Sequence, residues 1–154
     1  MSAIEGYASL FGRVDRAGDR VMPGAFAAAL ARRGASGIRM LWQHDPNEPI
    51  GRWTAIGEDR AGLFVRGELL DGVKRGREAA ALVADGGLDG LSIGFRTVKA
   101  RRDRAGVREL SEIDLWEISL VTFPMLLGAR VRVVDTAEAR VAAALRRATA
   151  VLAG

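Results

Sequence analysis

Residues 113–123, IDLWEISLVTF, form the most apolar strand-like stretch of the sequence. Upstream of it, residues 91–96, LSIGFR, alternate apolar with small or polar side chains, which is the two-residue period of a β-strand. Between the two stretches, residues 103–106, DRAG, have the composition of a tight turn. The sequence therefore predicts a long β-hairpin here, and this hairpin sets the fold class as mainly β.

Short strand and helix patterns fill most of the remaining sequence. Helical patterns lie at residues 25–33 and 73–83, and each ends near a glycine of the kind that closes helices. Turn-rich segments separate four further strand-like runs, which lie at residues 4–14, 38–44, 49–56 and 63–70. Short connections of this kind favour an antiparallel sheet.

A last helix is predicted near the C-terminus. Thr136 is a suitable N-cap for a helix that runs to about Leu152, with Val141, Leu145 and Val151 toward the core. For the whole chain we predict a single-domain α+β fold that is mainly β. Residues 1–135 would form a mostly antiparallel β-barrel flanked by about three helices. Residues 136–154 would form the last helix, packed on the same domain or extending from it.

The composition excludes several kinds of site. The 154-residue chain has no cysteine, so disulfides, thiol nucleophiles and thiolate metal ligands are excluded. His44 is its single histidine, whereas a zinc site usually needs several His or Cys ligands. Carboxylates alone could still hold magnesium, but nothing in their spacing suggests such a site, so we expect no metal and no cofactor. We also expect no signal peptide and no membrane span, because no run approaches the roughly 18 apolar residues that a span needs.

The basic charge raises the question of nucleic-acid binding. The net charge is +4, and most basic residues are arginines. These arginines are scattered among acidic residues, and the densest cluster, residues 99–104 (KARRDR), falls beside the predicted hairpin tip. We therefore expect no dedicated nucleic-acid surface. A non-enzymatic β-barrel module that binds through its arginines remains the alternative.

Ser92 lies in a glycine-lined setting. Residues 90–94, GLSIG, match the G-x-S-x-G pattern of α/β-hydrolase nucleophiles, but a strand rather than a helix follows, and the single histidine precedes the serine. The α/β-hydrolase interpretation therefore fails, while Gly90 and Gly94 would still allow a substrate or an oxyanion to approach the backbone closely. Taken alone, Ser92 is more simply a small polar residue at the start of a strand. The other serines lack this setting, namely Ser9, Ser36, Ser111 and Ser119.

His44 and a few carboxylates are candidates for acid–base chemistry. A neutral imidazole accepts a proton from a serine hydroxyl near neutral pH, although a histidine that ends a strand, as His44 is predicted to, is also often a bonded structural residue. Glu117 interrupts an apolar strand, where a charge needs a partner. It would either orient His44 or form a salt bridge with an arginine. Asp45 and Asp114 are alternative partners for His44.

Four separated segments resemble those of the tailed-phage prohead (capsid maturation) serine proteases. They have the same order and spacing as in that family, and the similarity spans about residues 4–134. The segments are residues 18–26 (GDRVMPGAF), 41–51 (LWQHDPNEPIG), 87–95 (GLDGLSIGF) and 115–124 (LWEISLVTFP).

This resemblance implies a fold, a site and a substrate. The family is grouped with the herpesvirus assembly proteases, whose fold is a β-barrel surrounded by helices. The family's nucleophile falls on Ser92, its histidine on His44 and its acidic residue on Glu117. Herpesvirus relatives use a second histidine as the third member, which this sequence does not have. The resemblance implies no cofactor.

The implied place of action is the immature capsid (prohead) in the cytoplasm of the bacterial host. The substrates would be the N-terminal scaffolding segment of the major capsid protein and the protease itself. Portal or scaffold protein and a second copy of the chain are further partners that the family suggests. Many family members carry a longer C-terminal targeting region, whereas this sequence ends at Gly154, which would suit a compact phage or a gene-transfer particle.

Overall fold

The structure is a computed structural model that describes residues 1–134, 145, 148, 149 and 151–153. Within residues 1–134 there are two α-helices, α1 (Ala27–Arg33) and α2 (Lys74–Asp85), and a short 3-10 helix (Ala35–Gly37), and the described residues after 134 are helical as well. The strands of the described residues are β1 (Ser2–Leu10), β2 (Asp19–Val21), β3 (Arg39–Trp42), β4 (Asp45–Glu58), β5 (Gly62–Leu69), β6 (Gly90–Arg102), β7 (Arg108–Val121) and β8 (Val131–Val134).

All eight strands belong to one sheet. Its order is β2-β7-β3-β4-β5-β1-β8, and β6 pairs with β7. Most pairs are antiparallel, as predicted, but β2 and β3 both run parallel to β7. The predicted hairpin is the longest ladder, because β6 and β7 pair from Gly90 with Val121 to Arg102 with Arg108.

The sheet curls into a loose barrel that its ladders do not close. At the edge of the sheet formed by β8, a single bridge, Gly90 with Arg130, connects to the start of β6. Two backbone hydrogen bonds flank it, from the Leu91 amide to the Ala129 carbonyl (2.9 Å) and from the Val131 amide to the Asp89 carbonyl (2.8 Å). The predicted barrel is therefore correct in outline, and its seam joins the first residues of β6 and β8 to the loop residues beside them rather than forming a continuous ladder.

Alternate residues of the strands fill the core of the sheet. Leu91 on β6 and Leu115 and Ile118 on β7 are fully buried, and each contributes about 1.5–3 kcal/mol relative to an exposed side chain. Both helices cover this core, α1 with Ala29 and α2 with Ala79. No helix among the described residues is long and apolar enough to cross a membrane.

Several predicted boundaries shift. The run at 38–44 ends earlier as a strand, because β3 stops at Trp42 and residues 43–44 form a turn. The strands β2 and β8 were not predicted, since three or four residues carry too little periodicity to detect. Most of the predicted helix from 136 lies outside the described residues, including Val141. Leu145 and Val151 are described and are exposed, so their predicted core positions are wrong.

Candidate active site

His44 lies in a two-residue turn that joins β3 to β4. Trp42 and Asp45 are paired on either side of it, and both turn residues have positive φ, 53° at Gln43 and 60° at His44. Hairpin turns of this shape normally use Asn-Gly or Gly-rich pairs. A residue other than glycine in this conformation costs on the order of 1 kcal/mol, so the surrounding structure must hold the turn in place.

Strand β7 and the residue after it hold this turn through four hydrogen bonds. The Gln43 amide donates to the Leu120 carbonyl (2.8 Å), and the His44 amide donates to Ser119 Oγ (3.0 Å). The Gln43 side chain bonds Thr122 twice: Nε2 donates to Oγ1 (2.6 Å), and Oε1 accepts from the Thr122 amide (3.1 Å). The imidazole of His44 therefore extends from a strained turn that is hydrogen-bonded to β7 and to Thr122.

Glu117 contacts the imidazole directly. Its side chain is mostly buried on β7, and its Oε1 makes a hydrogen bond with His44 Nδ1. The other carboxylate oxygen, Oε2, accepts a hydrogen bond from Ser119 Oγ (2.6 Å). Both oxygens therefore have partners, which offsets the cost of burying the charge.

The Glu117 hydrogen bond changes the acid–base chemistry of His44. The bond and the negative charge of Glu117 raise the pKa of His44 above its ordinary value of 6.5, while partial burial of the ring acts in the opposite direction. The carboxylate also selects a tautomer, because a neutral ring bonded to it carries its proton on Nδ1 and leaves Nε2 free to accept. The ring can therefore serve as a base through Nε2.

Ser92 lies on the same face of the hairpin as the acid. It is the direct cross-strand partner of Ser119, two residues from Glu117, so the side chains of these three residues share a face. Ser92 is 8% exposed. Within residues 1–134, no hydrogen bond joins its hydroxyl to the His44 ring.

Ser92 and His44 both line a cavity of about 240 Å³. Its walls are largely apolar, with contributions from β1, β6 and the loop after β7 that include Leu10, Leu91 and Met125. Arg13 and Asp15, on the segment between β1 and β2, line it as well. An extended peptide that placed its backbone beside Ser92 could therefore put an apolar side chain into this space.

The two glycines near Ser92 have packing reasons of their own. A Cβ on residue 94 would come within 2.7 Å of Glu117 Cδ, so Gly94 leaves room for the carboxylate. A Cβ on residue 90 would lie 2.6 Å from the Val121 carbonyl oxygen and 2.9 Å from Pro124 Cδ. Neither glycine lines the cavity described above. Their role in holding an oxyanion or substrate stays a prediction.

The alternative carboxylates are engaged elsewhere. Asp114 accepts hydrogen bonds from Trp116 Nε1 (3.0 Å) and from Arg32 and Arg33, and these partners lower the pKa of Asp114, with the Trp116 bond the largest cause. Asp45 Oδ1 accepts the amide of Asn47 (2.8 Å). Of the three candidate acids, Glu117 is the one that contacts His44.

Sequence reasoning missed Ser119 and the pair Gln43–Thr122. Ser119 lacks flanking glycines, which was the feature used to single out serines, yet it is fully buried between Glu117 and the His44 turn. Its position two residues after Glu117 was a usable signal, because such residues share a face of a strand. Gln43 gave no signal, since glutamine has no preference for turns with positive φ.

In sequence, this chain is similar to the prohead proteases of phages. The family model of the caudovirus prohead serine proteases matches residues 1–144. The chain is 37% identical over 127 residues to the prohead protease of Enterobacteria phage HK97 and 30% identical over 124 residues to that of Escherichia phage T5. Each alignment covers 79% of this chain, but 55% of the HK97 protein and 57% of the T5 protein. The chain thus spans about half the length of the curated relatives it matches.

In fold, the chain is similar to herpesvirus proteases. The protease of Kaposi's sarcoma herpesvirus, solved with a hexapeptide phosphonate inhibitor, matches with a TM-score of 0.60 at 13% identity, over 92% of this chain and 68% of that chain. The varicella-zoster virus protease matches with a TM-score of 0.57 at 17% identity, over 90% of this chain and 66% of that chain. This likeness confirms the predicted fold, and the family match over residues 1–144 shows that the chain belongs to the caudovirus prohead serine protease family.

Proposed function

We propose that this chain is a serine endopeptidase that cleaves capsid protein inside the prohead, with Ser92 as nucleophile, His44 as general base and Glu117 as the acid that orients His44. The observation that carries the proposal is the contact between His44 Nδ1 and Glu117 Oε1 beside a cavity that Ser92 also lines. A base that is oriented by a buried acid and shares a cavity with a hydroxyl is the arrangement that acyl transfer requires.

The reaction would proceed in two stages. Ser92 Oγ attacks the scissile carbonyl carbon while its proton passes to His44 Nε2, and the cation that forms is stabilised by Glu117. The tetrahedral intermediate collapses, the C–N bond breaks, and His44 returns the proton to the leaving amine. Water then attacks the acyl-enzyme with His44 again as base, which releases the carboxylic acid and restores the Ser92 hydroxyl.

Peptide binding would complete the alignment of the nucleophile and the base. Catalytic hydrogen bonds are often long or absent in free enzymes and tighten when substrate binds. His44 is 43% exposed, so a peptide that covers the ring would also exclude water from it. Backbone amides near Gly94, or those of an arginine-bearing loop such as the one that carries Arg13 into the cavity, would hold the oxyanion.

The substrates would be the N-terminal scaffolding segment of the major capsid protein and the protease itself. Family membership supports this assignment. The largely apolar cavity beside Ser92 further suggests that the cleaved segment presents an apolar side chain near the scissile bond. Portal or scaffold protein and a second copy of the chain are additional partners to be tested in the same system.

Co-expression of this chain with the major capsid protein of the same particle tests the proposal, with intact mass spectrometry of the capsid protein as the measurement. The wild-type chain should trim the N-terminus, and Ser92→Ala and His44→Asn should not. Asparagine is suitable at residue 44 because it tolerates positive φ and so removes the imidazole without disturbing the turn. Ser111→Ala, on the same strand as Ser119 but far from the cavity, is the matched control and should trim normally. Normal trimming by Ser92→Ala would end the proposal.

The alternative, a non-enzymatic β-barrel module that binds capsid protein or nucleic acid through its arginines, is less well supported. In the basic cluster at the hairpin tip, Arg101 is paired with Glu109 (3.6 Å) and Lys99 with Glu112 (3.7 Å). These carboxylates reduce the positive potential that a nucleic acid would meet there. Strong, steeply salt-dependent DNA binding by the Ser92→Ala protein would favour this alternative.

A further inference from the structure

Ser119 occupies a position where three strands of the sheet meet. It is paired with Ser92 across the antiparallel ladder to β6 and with Leu41 across the parallel ladder to β3. Its side chain is fully buried, with 0% exposure. The position therefore links the strand of the proposed nucleophile to the hairpin that carries the proposed base.

The hydrogen bonds of Ser119 form a closed ring that begins and ends at His44. The His44 amide donates to Ser119 Oγ (3.0 Å), and the same hydroxyl donates to Glu117 Oε2 (2.6 Å). The other carboxylate oxygen, Oε1, contacts Nδ1 of the His44 ring. One hydroxyl thus ties the backbone of His44 to the acid that holds its side chain, which restricts the rotation of the imidazole relative to its own main chain.

Ser119 is not suited to be a nucleophile itself. Its proton is already donated to a carboxylate, and no part of the side chain is open to a substrate. The closed ring of hydrogen bonds also has an energetic reason. The amide of His44, whose backbone is held at a strained positive φ, needs an acceptor, and the buried Glu117 needs a hydrogen-bond donor for its second oxygen. The Ser119 hydroxyl meets both requirements, and consecutive hydrogen bonds of this kind strengthen one another.

We infer that Ser119 is a positioning residue, which sets the orientation of His44 by coupling the strained turn to Glu117. This inference rests on the proposed function for its kinetic consequence, but not for its structural one. If Ser119 is removed, Glu117 loses one of its two anchors and the His44 amide loses its acceptor. The carboxylate should then contact the ring less well, and the pKa of His44 should fall toward its ordinary value of 6.5.

The single histidine makes this test direct. His44 supplies the only imidazole Cε1–H resonance of the chain, so an NMR pH titration reports its pKa without assignment. We compare wild type with Ser119→Ala, Ser119→Cys and Ser111→Ala. Ser111 is the matched control, since it lies on β7 and its hydroxyl bonds the Lys99 carbonyl (3.3 Å), far from the site. Each protein is also assayed for cleavage of a peptide that spans the capsid cleavage site.

The inference predicts a lowered His44 pKa in Ser119→Ala together with a loss of kcat of about 10- to 100-fold, since bonds to charged groups of this kind contribute that much. Ser119→Cys keeps the size and a weak donor, so it should lie between wild type and Ser119→Ala. If Ser119→Ala does not fold, the decision passes to Ser119→Cys, whose shift should have the same sign. Ser111→Ala should match wild type in both readouts.

An unchanged His44 titration in folded Ser119→Ala would overturn the inference, even if activity or thermal stability fell, because that pattern indicates a merely structural serine. If the His44 pKa falls in Ser119→Ala but the wild-type chain itself cleaves no peptide, the coupling is upheld and the result counts against the proposed function. The two failures are therefore distinguishable.

Discussion

Gly94 and Glu117 are direct cross-strand partners, and the space that a side chain at residue 94 would fill is occupied by the Glu117 carboxylate. A Cβ at this position would lie 2.7 Å from Glu117 Cδ and 2.8 Å from its Cγ. The second glycine of the G-x-S-x-G pattern, Gly94, thus leaves space for the Glu117 carboxylate on the opposite strand. The serine pattern and the acid are therefore parts of one packed arrangement.

Gly94→Ala should displace the Glu117 side chain and so weaken its contact with His44. We expect cleavage of a capsid-site peptide to fall by about 10²-fold, the loss that misplacement of a catalytic group by 1 Å can produce. Gly57→Ala is the matched control, since Gly57 also lies in a strand but a Cβ there would meet nothing within 4 Å. Equal activities of the two variants would show that the space at residue 94 is not needed by the acid.

Glu117→Gln should alter the pH dependence of the reaction. Glu117 raises the pKa of His44, so the wild-type rate should decline as the pH falls through a value above 6.5, where the base becomes protonated. In Glu117→Gln that limb should move to lower pH, and kcat should fall by up to about 10⁴-fold because the amide no longer holds the correct tautomer.

The control for this prediction is Glu109→Gln, on the same strand but paired with arginines at the hairpin tip. Its kcat/KM profile from about pH 5 to 9 should overlay that of wild type. A wild-type profile that stays flat across this range would argue against His44 as the base.

Thr122→Val should loosen the turn that carries His44. The substitution removes the acceptor of the Gln43 Nε2 bond (2.6 Å) and keeps the Thr122 amide bond to Gln43 Oε1. A net loss of about 0.5–1.5 kcal/mol in holding the turn corresponds to a fall in kcat of about 2- to 12-fold. Thr54→Val removes a comparable exposed bond, to the Arg66 carbonyl, and should leave kcat unchanged. If the two variants have the same kcat, the bond from Gln43 Nε2 to Thr122 Oγ1 does not contribute to catalysis.

The sequence was sufficient for the parts of the fold that depend on local periodicity. The β6–β7 hairpin follows from alternation in residues 91–96 and the apolar run at 113–123, and the structure pairs these stretches as expected. The seam between Gly90 and Arg130 depends on residues 40 positions apart with no pattern of their own, so local reasoning does not reach it. The parallel pairing of β2 and β3 with β7 is long-range in the same sense.

At the site, residue chemistry was more informative than backbone shape. Ser92, His44 and Glu117 were singled out by residue type and setting, and the structure brings His44 and Glu117 into contact. The positive φ of His44 was not foreseen, because Gln-His is not a turn signal and the conformation is imposed by bonds from β7. The spacing of two residues from Glu117 places Ser119 on the same face of the strand, but its bond to the His44 amide depends on the pairing of β3 with β7, which local sequence patterns do not show.

Covalent labelling with a peptidyl phosphonate tests the central claim most directly. The reagent is built on the capsid cleavage sequence, and the labelled protein is digested and mapped by mass spectrometry. We predict one adduct per chain, located on Ser92, that forms more slowly as His44 becomes protonated and is absent in Ser92→Ala and strongly slowed in His44→Asn. Modification of a different serine, or full processing of capsid protein by a chain whose Ser92 carries no adduct, would contradict the account.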